Sequence, residues 1–152
     1  MVITRERQMR PQVCTWLSGQ GFIPVFEVHL ACFGASDIVA GKFAEGLLTD
    51  IIAVELKLDD IAEVLRQATN NRYVVPWSYA AMPDATCERM RQATLQRFEE
   101  QGIGLLSVGE RVRVFVPPKR FSEADEVRLA KLGKRLWRRR NEWHTRQAEF
   151  VR

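Results

Sequence analysis

"IIAVELKLDD", residues 51–60, places a glutamate and a lysine two positions apart in a run of isoleucine, valine and leucine. Residues i and i+2 of a strand share a face, so Glu55 and Lys57 point one way while Val54, Leu56 and Leu58 point the other. Ionisable groups among apolar neighbours are costly unless they are paired, hydrogen-bonded or bound to a metal. The stretch reads as a central strand with one face left for chemistry. A cross-strand ion pair on an exposed edge is the other reading of the two charges, and the flanking "IIAV" argues for the centre.

Upstream, "FIPVFEVHLACFG" has the β-branched and aromatic content of a strand, with Glu27 and His29 on one side of its pleat. A turn through Gly34–Ser36 leads into "DIVAGKF" as a second strand, and residues 44–50 read as the loop before the third. Three strands with short connections suggest an antiparallel meander. "TRERQMRPQVCTWLSGQG" before them is a helix around Val13, Trp16 and Leu17, stopped by Gly19 and Gly21. After them, "DDIAEVLRQATNNR" is a helix capped by Asp59 or Asp60, burying Ile61, Val64, Leu65 and Ala68. "YVVPWSYAAMP" begins as a buried strand and becomes a loop, and residues 84–101 form a helix capped by Asp84 and ended by Gly102. "IGLLSV" and "RVRVFVP" are two further strands, and a last helix runs from about Glu123, capped by Ser122, toward residue 148. Helices returning between strands after an antiparallel start imply a mixed α/β sheet covered on both faces.

If strands two and three pair as a hairpin, Asp37 comes to lie beside Glu55 at one end of the sheet. Asp37 alone is equally a turn residue after "FGAS". Two close carboxylates repel unless a cation sits between them, and Mg²⁺ suits oxygen ligands while keeping waters, one of which can be the nucleophile. The backbone carbonyl of Leu56 is a natural third ligand, and Lys57 can serve the water and the charge of a phosphate.

"SD" at 36–37 followed by "ELK" at 55–57 resembles the PD-(D/E)XK nuclease superfamily, with Ser36 where the family name has proline. Gln67, in "RQATNNRYVV", is similar to the glutamine that follows the ExK strand in resolvase-like and RecB-like members, although a solvent-facing helix glutamine is the plainer alternative. Glu27, in "FEVHL", is a candidate for the additional acidic residue that some members bring to the metal. The resemblance covers residues 1–118 and implies a restriction-endonuclease-like fold: a central mixed β-sheet flanked by helices. It also implies Mg²⁺- or Mn²⁺-dependent hydrolysis of phosphodiester bonds in DNA. Asp37, Glu55, Lys57 and Gln67 would be the catalytic set, and Asp37, Glu55 and the Leu56 carbonyl the metal ligands, with Glu27 as a further one. The alternative is a catalytically weak or inactive DNA-binding or accessory subunit of the same fold.

Residues 119–152 form a basic helical extension, packed on or projecting from this core. They carry 11 Lys/Arg against 5 Asp/Glu, whereas residues 1–118 carry 12 against 14. The tail is thus the candidate contact for a polyanion, here the DNA phosphate backbone. Arg135, Arg138, Arg139, Arg140 and Trp137 are the expected contacts, through phosphate binding and stacking. The competing reading is an amphipathic helix that docks or dimerises through Leu129, Leu132, Leu136 and Trp143, so a second copy or a partner protein is the other expected partner.

A content of 46% hydrophobic and 28% charged residues is ordinary for a globular domain. The start "MVITRERQMRPQ" has no apolar core of a signal peptide, and no run approaches the roughly 20 apolar residues of a membrane span. The expected setting is therefore the cytoplasm, with no membrane partner. Cys14, Cys32 and Cys87 lie too far apart in sequence for a zinc knuckle and read as reduced, buried thiols.

Overall fold

The β2–β3 hairpin fixes the sheet. In the computed structural model, which describes residues 1–30, 34–121 and 125–150 (backbone alone for 148–150), β2 is Ala35–Ala44 and β3 is Leu47–Leu56. Only Glu45 and Gly46 lie between them, at φ 54° and 78°. Positive φ at both central residues makes this a type I′ turn, whose twist matches that of its strands. The loop expected over 44–50 is thus two residues long. A Glu-Gly pair is a weaker turn signal than Asn-Gly, which is why the sequence hid it.

β1 (Ile23–His29) pairs antiparallel with β2, which pairs antiparallel with β3. β4 (Trp77–Pro83) and β5 (Gly104–Val108) add in parallel, and β6 (Val112–Val116) closes the sheet antiparallel. The order is β1-β2-β3-β4-β5-β6 in one mixed six-stranded sheet. A 3₁₀ turn (Glu6–Met9) and α1 (Arg10–Gly19) precede it. The crossovers are α2 (Ile61–Asn71), then α3 (Asp84–Glu88) and α4 (Gln92–Gln101), and α5 (Glu126–Arg138) and α6 (Glu142–Phe150) end the chain.

Three elements differ from the sequence reading. "WSYAAMP" is β4 and not a loop, while residues 72–74 form the turn before it. β4 is buried on both faces and rich in alanine and serine, so α2 can approach closely: Ser78 Oγ donates to the Ala68 carbonyl at 2.6 Å. Small residues carry little β propensity, and packing decided the matter. The helix over 84–101 breaks between α3 and α4; Pro83 is its cap position, and Asp84 instead accepts a 2.5 Å bond from Ser107 Oγ. The last helix also breaks, at residues 139–141, and Asp125 caps α5. Cys32, Ser122 and Glu123 lie outside the described residues.

One face of the sheet packs against α1 and α6 through Met9, Val13, Leu17, Phe26, Ile38, Val54, Leu56 and Trp143. The other face carries two separate clusters. Under α5 lie Val25, Val28, Val39, Ile51 and Ala53 with Leu132 and Leu136; under α2 and α4 lie Ala80, Met82 and Leu105 with Val64, Ala68 and Phe98. The C-terminal residues expected as an extension thus fill part of both layers. Cys14 and Cys87 are buried free thiols; burial above all pushes them up to about 12 and about 11, which leaves neither a nucleophile at neutral pH. No helix among the described residues is long and apolar enough to cross a membrane.

The break after α5 has a local purpose. Arg139 donates to the Phe26 carbonyl, and Glu142, held by Arg139 at 2.9 Å, accepts the Phe26 N–H at 3.2 Å. A side-chain pair thereby satisfies the outer peptide of edge strand β1. Burial works against the Glu142 charge, but its bonds to Arg139 and Phe26 outweigh it and hold the carboxyl below its ordinary range. Glu142→Ala strands a part-buried N–H, so urea denaturation is expected to show a loss of about 1–3 kcal/mol.

Candidate functional site

The ladder between β2 and β3 runs from Ala44↔Leu47 to Ile38↔Val54 and goes no further. Beyond that point Ser36 stays with Val28 of β1, while Glu55 and Leu56 stay with Ala80 and Ala81 of β4. β2 and β3 therefore part at Asp37 and Glu55. In the opening, Asp37 Oδ2 accepts the Leu56 N–H at 2.8 Å, taking the place of a strand carbonyl. Glu55 is 4% exposed and within hydrogen-bonding reach of Asp37. Asn71 Nδ2 donates to Glu55 Oε1 at 2.9 Å and lies 3.3 Å from Ser36 Oγ.

Burial first, then the Asp37 charge, pushes the Glu55 carboxyl up to about 8, against partial relief from Asn71 and Ser36. Without a cation beside it Glu55 therefore keeps its proton at neutral pH. The Asp37–Glu55 pair can hold a divalent ion through its oxygens, which would draw that proton off. Among the described residues no group of three or more His, Cys, Asp or Glu side chains converges, so this donor set is two carboxylates plus backbone and water. Mg²⁺, which keeps several waters, fits such a set.

Lys57 lies just past β3, its N–H on the Ala81 carbonyl at 3.2 Å. Its ammonium stands 3.7 Å from Glu6 Oε1 of the 3₁₀ turn, its ion pair among the described residues. Gln67 sits one turn before Asn71 on α2, and residues four apart share a helix face. Its Oε1 is buried with no hydrogen-bond partner among the described residues. Glu27 stands opposite Asp37 between the pairs Phe26↔Ile38 and Val28↔Ser36, yet its side chain is 68% exposed and 3.4 Å from Arg10. Its φ of 50° is the left-handed region, at a cost on the order of 1 kcal/mol, and it sends Phe26 and Val28 to opposite faces.

The arginines of the C-terminal helices divide. Arg135 donates to the His29 carbonyl at 3.0 Å, and Arg139 is committed to Phe26 and Glu142. Arg140 binds the Trp137 carbonyl and stacks 4.3 Å over its ring, while Trp137 packs on Phe43 and Gly46 at the hairpin, the far end of the sheet. Arg138 is solvent-exposed. Asn71 and Glu6 are the two neighbours of the site that the sequence did not single out. Asn71 had a signal, its position four residues after Gln67; Glu6, on an N-terminal turn, had none.

No family model matches the chain, and no curated protein matches it. Among solved structures it is similar to one described as "SPO1766 protein of unknown function from Silicibacter pomeroyi", with a TM-score of 0.64 and 14% sequence identity over 99% of this chain and 93% of that one. At that identity the likeness is one of fold.

Proposed function

We propose that this chain is a metal-dependent nuclease that hydrolyses phosphodiester bonds in DNA, with the restriction-endonuclease-like arrangement of the PD-(D/E)XK superfamily. The observation that carries the reading is the parting of β2 and β3 at Asp37 and Glu55, which brings two carboxylates within hydrogen-bonding reach of each other beside the Leu56 peptide. Asp37, Glu55 and the Leu56 carbonyl would hold Mg²⁺ or Mn²⁺. Bound there, the ion supplies an activated water and neutralises charge on the phosphate. Asn71 orients Glu55, and Gln67 offers an unpaired buried oxygen to a water or ligand in the same opening. Lys57 is paired with Glu6, and release from it would free the ammonium for a phosphate oxygen.

That Lys57–Glu6 pair also favours a second reading, a DNA-binding subunit of the same fold that does not cut. One experiment separates the two. Calorimetry with Mn²⁺ on wild type, Asp37→Ala and Glu55→Ala is run beside nicking of supercoiled plasmid in the same buffers. Binding and nicking that are both lost in the variants are expected. Metal binding without nicking supports the subunit, and a wild type that binds no metal in the presence or absence of DNA overturns the nuclease.

A further inference from the structure

We infer that one flank of α5, formed by Arg128, Lys131, Arg135 and Arg138, is the track on which the DNA backbone lies beside the carboxylate pair. The inference takes its partner from the nuclease reading; of the residues the sequence suggested it keeps Arg135 and Arg138, adds Arg128 and Lys131, and leaves out Arg139, Arg140 and Trp137. Leu132 and Leu136 fix which side of α5 faces the sheet, because both are buried on Val39, Ile51 and Ala53. Alternation along β2 and β3 then puts Asp37 and Glu55 on that same face, each at the next position beyond Val39 and Ala53. The helix and the carboxylates share a face, with the carboxylates toward the end where β1 finishes.

At 100° per residue, positions 128, 131, 135 and 138 fall within one narrow arc of the helix, on one side of the Leu132–Leu136 line. The bond from Arg135 to His29 shows which way that side looks: His29 pairs with Ala35, two residues from Asp37. The opposite side carries Trp137 and Gly133, against Gly46 and Leu48 of the hairpin. All four basic residues are exposed, and no acidic side chain among the described residues lies within salt-bridge distance of any of them. Ten residues of helix rise by about 15 Å. One strand of duplex DNA presents a phosphate about every 3.4 Å of axis, so the flank spans roughly four. Three of the four side chains are arginines, whose forked donors match two phosphate oxygens at once.

The test is fluorescence anisotropy of a labelled duplex with the full chain in EDTA, over a salt series, so that binding is read without cleavage. Arg128, Lys131 and Arg138 are changed together to alanine; Arg135 is kept because it also holds the end of β1. The comparison variant removes the same charge from the exposed Arg89, Arg91 and Arg97 around α4. The flank variant is expected to lower the slope of log K against log salt by nearly three, at roughly 0.9 per lost phosphate, with an unchanged melting temperature. Arg128→Lys with Arg138→Lys keeps the slope. An unchanged slope in the flank variant, an equal fall in the comparison variant, or no DNA binding by wild type overturns the inference. A wild type that binds with the expected slope and never nicks with Mg²⁺ counts against the nuclease reading alone.

Discussion

Glu55→Gln is expected to raise the melting temperature of the metal-free protein at pH 8 and to abolish plasmid nicking. Gln keeps an oxygen for Asn71 Nδ2 and gains an amide that can donate to Asp37, so it reproduces the protonated form of the glutamate. The wild-type carboxyl is raised from 4.5 to about 8 in the folded chain. Its contribution is therefore fully present below the unfolded value and is lost as pH climbs through 8. The variant has no such loss. At pH 8 it should be more stable by roughly 1–3 kcal/mol, several degrees in melting temperature for a domain of this size, and the two proteins should converge near pH 5. Divalent metal inverts the order, since ions that bind the native state stabilise the wild type and find one carboxylate fewer in the variant. Nicking should fall by about 1,000-fold. Thermal melts from pH 5 to pH 8, with EDTA and with Mn²⁺, measure all of this; equal melting temperatures of the two proteins across that range would mean that Glu55 is not held in a raised state.

Leu136→Ala is the second large effect, at about 2–5 kcal/mol, because it empties a fully buried position of the cluster under α5. Its magnitude carries a statement about organisation. A chain ended at Pro118 would uncover Val25, Val28, Val39 and Ile51 on one face and remove Trp143 from the other. Such a truncation should give no cooperative urea transition. A truncated protein that unfolds with the midpoint of the full chain would show that residues 119–152 are an appendage after all.

The order of strands and helices was legible wherever periodicity was strong. The apolar face of β3, the meander before it and the cap at Asp60, which accepts the Glu63 N–H, follow from alternation and capping chemistry. β4 was not legible, because Ala80 and Ala81 are chosen for the close approach of helices and not for strand propensity. Of the site, Asp37 and Glu55 could be paired from spacing once a hairpin was assumed. Asn71 looked like any polar residue near a helix end until the crossover laid it over Glu55. The arginines were visible as charge but not as direction. Whether Arg135, Arg138 or Arg139 meets solvent or a carbonyl depends on how α5 crosses the sheet, and a count cannot supply that.

The Arg139–Glu142 pair on Phe26 also bears on how copies of this protein can meet. An exposed edge strand is a template for another chain, and open-ended fibres need two complementary edges per molecule. Here the β1 edge is stoppered at Phe26 by that pair and at His29 by Arg135, beneath the cover of α6. The β6 edge, with Arg113 and Val114 exposed, remains. With one edge closed, strand-to-strand growth stops after a single β6–β6 joining: the sheet can become a closed pair, but it cannot propagate as a ribbon.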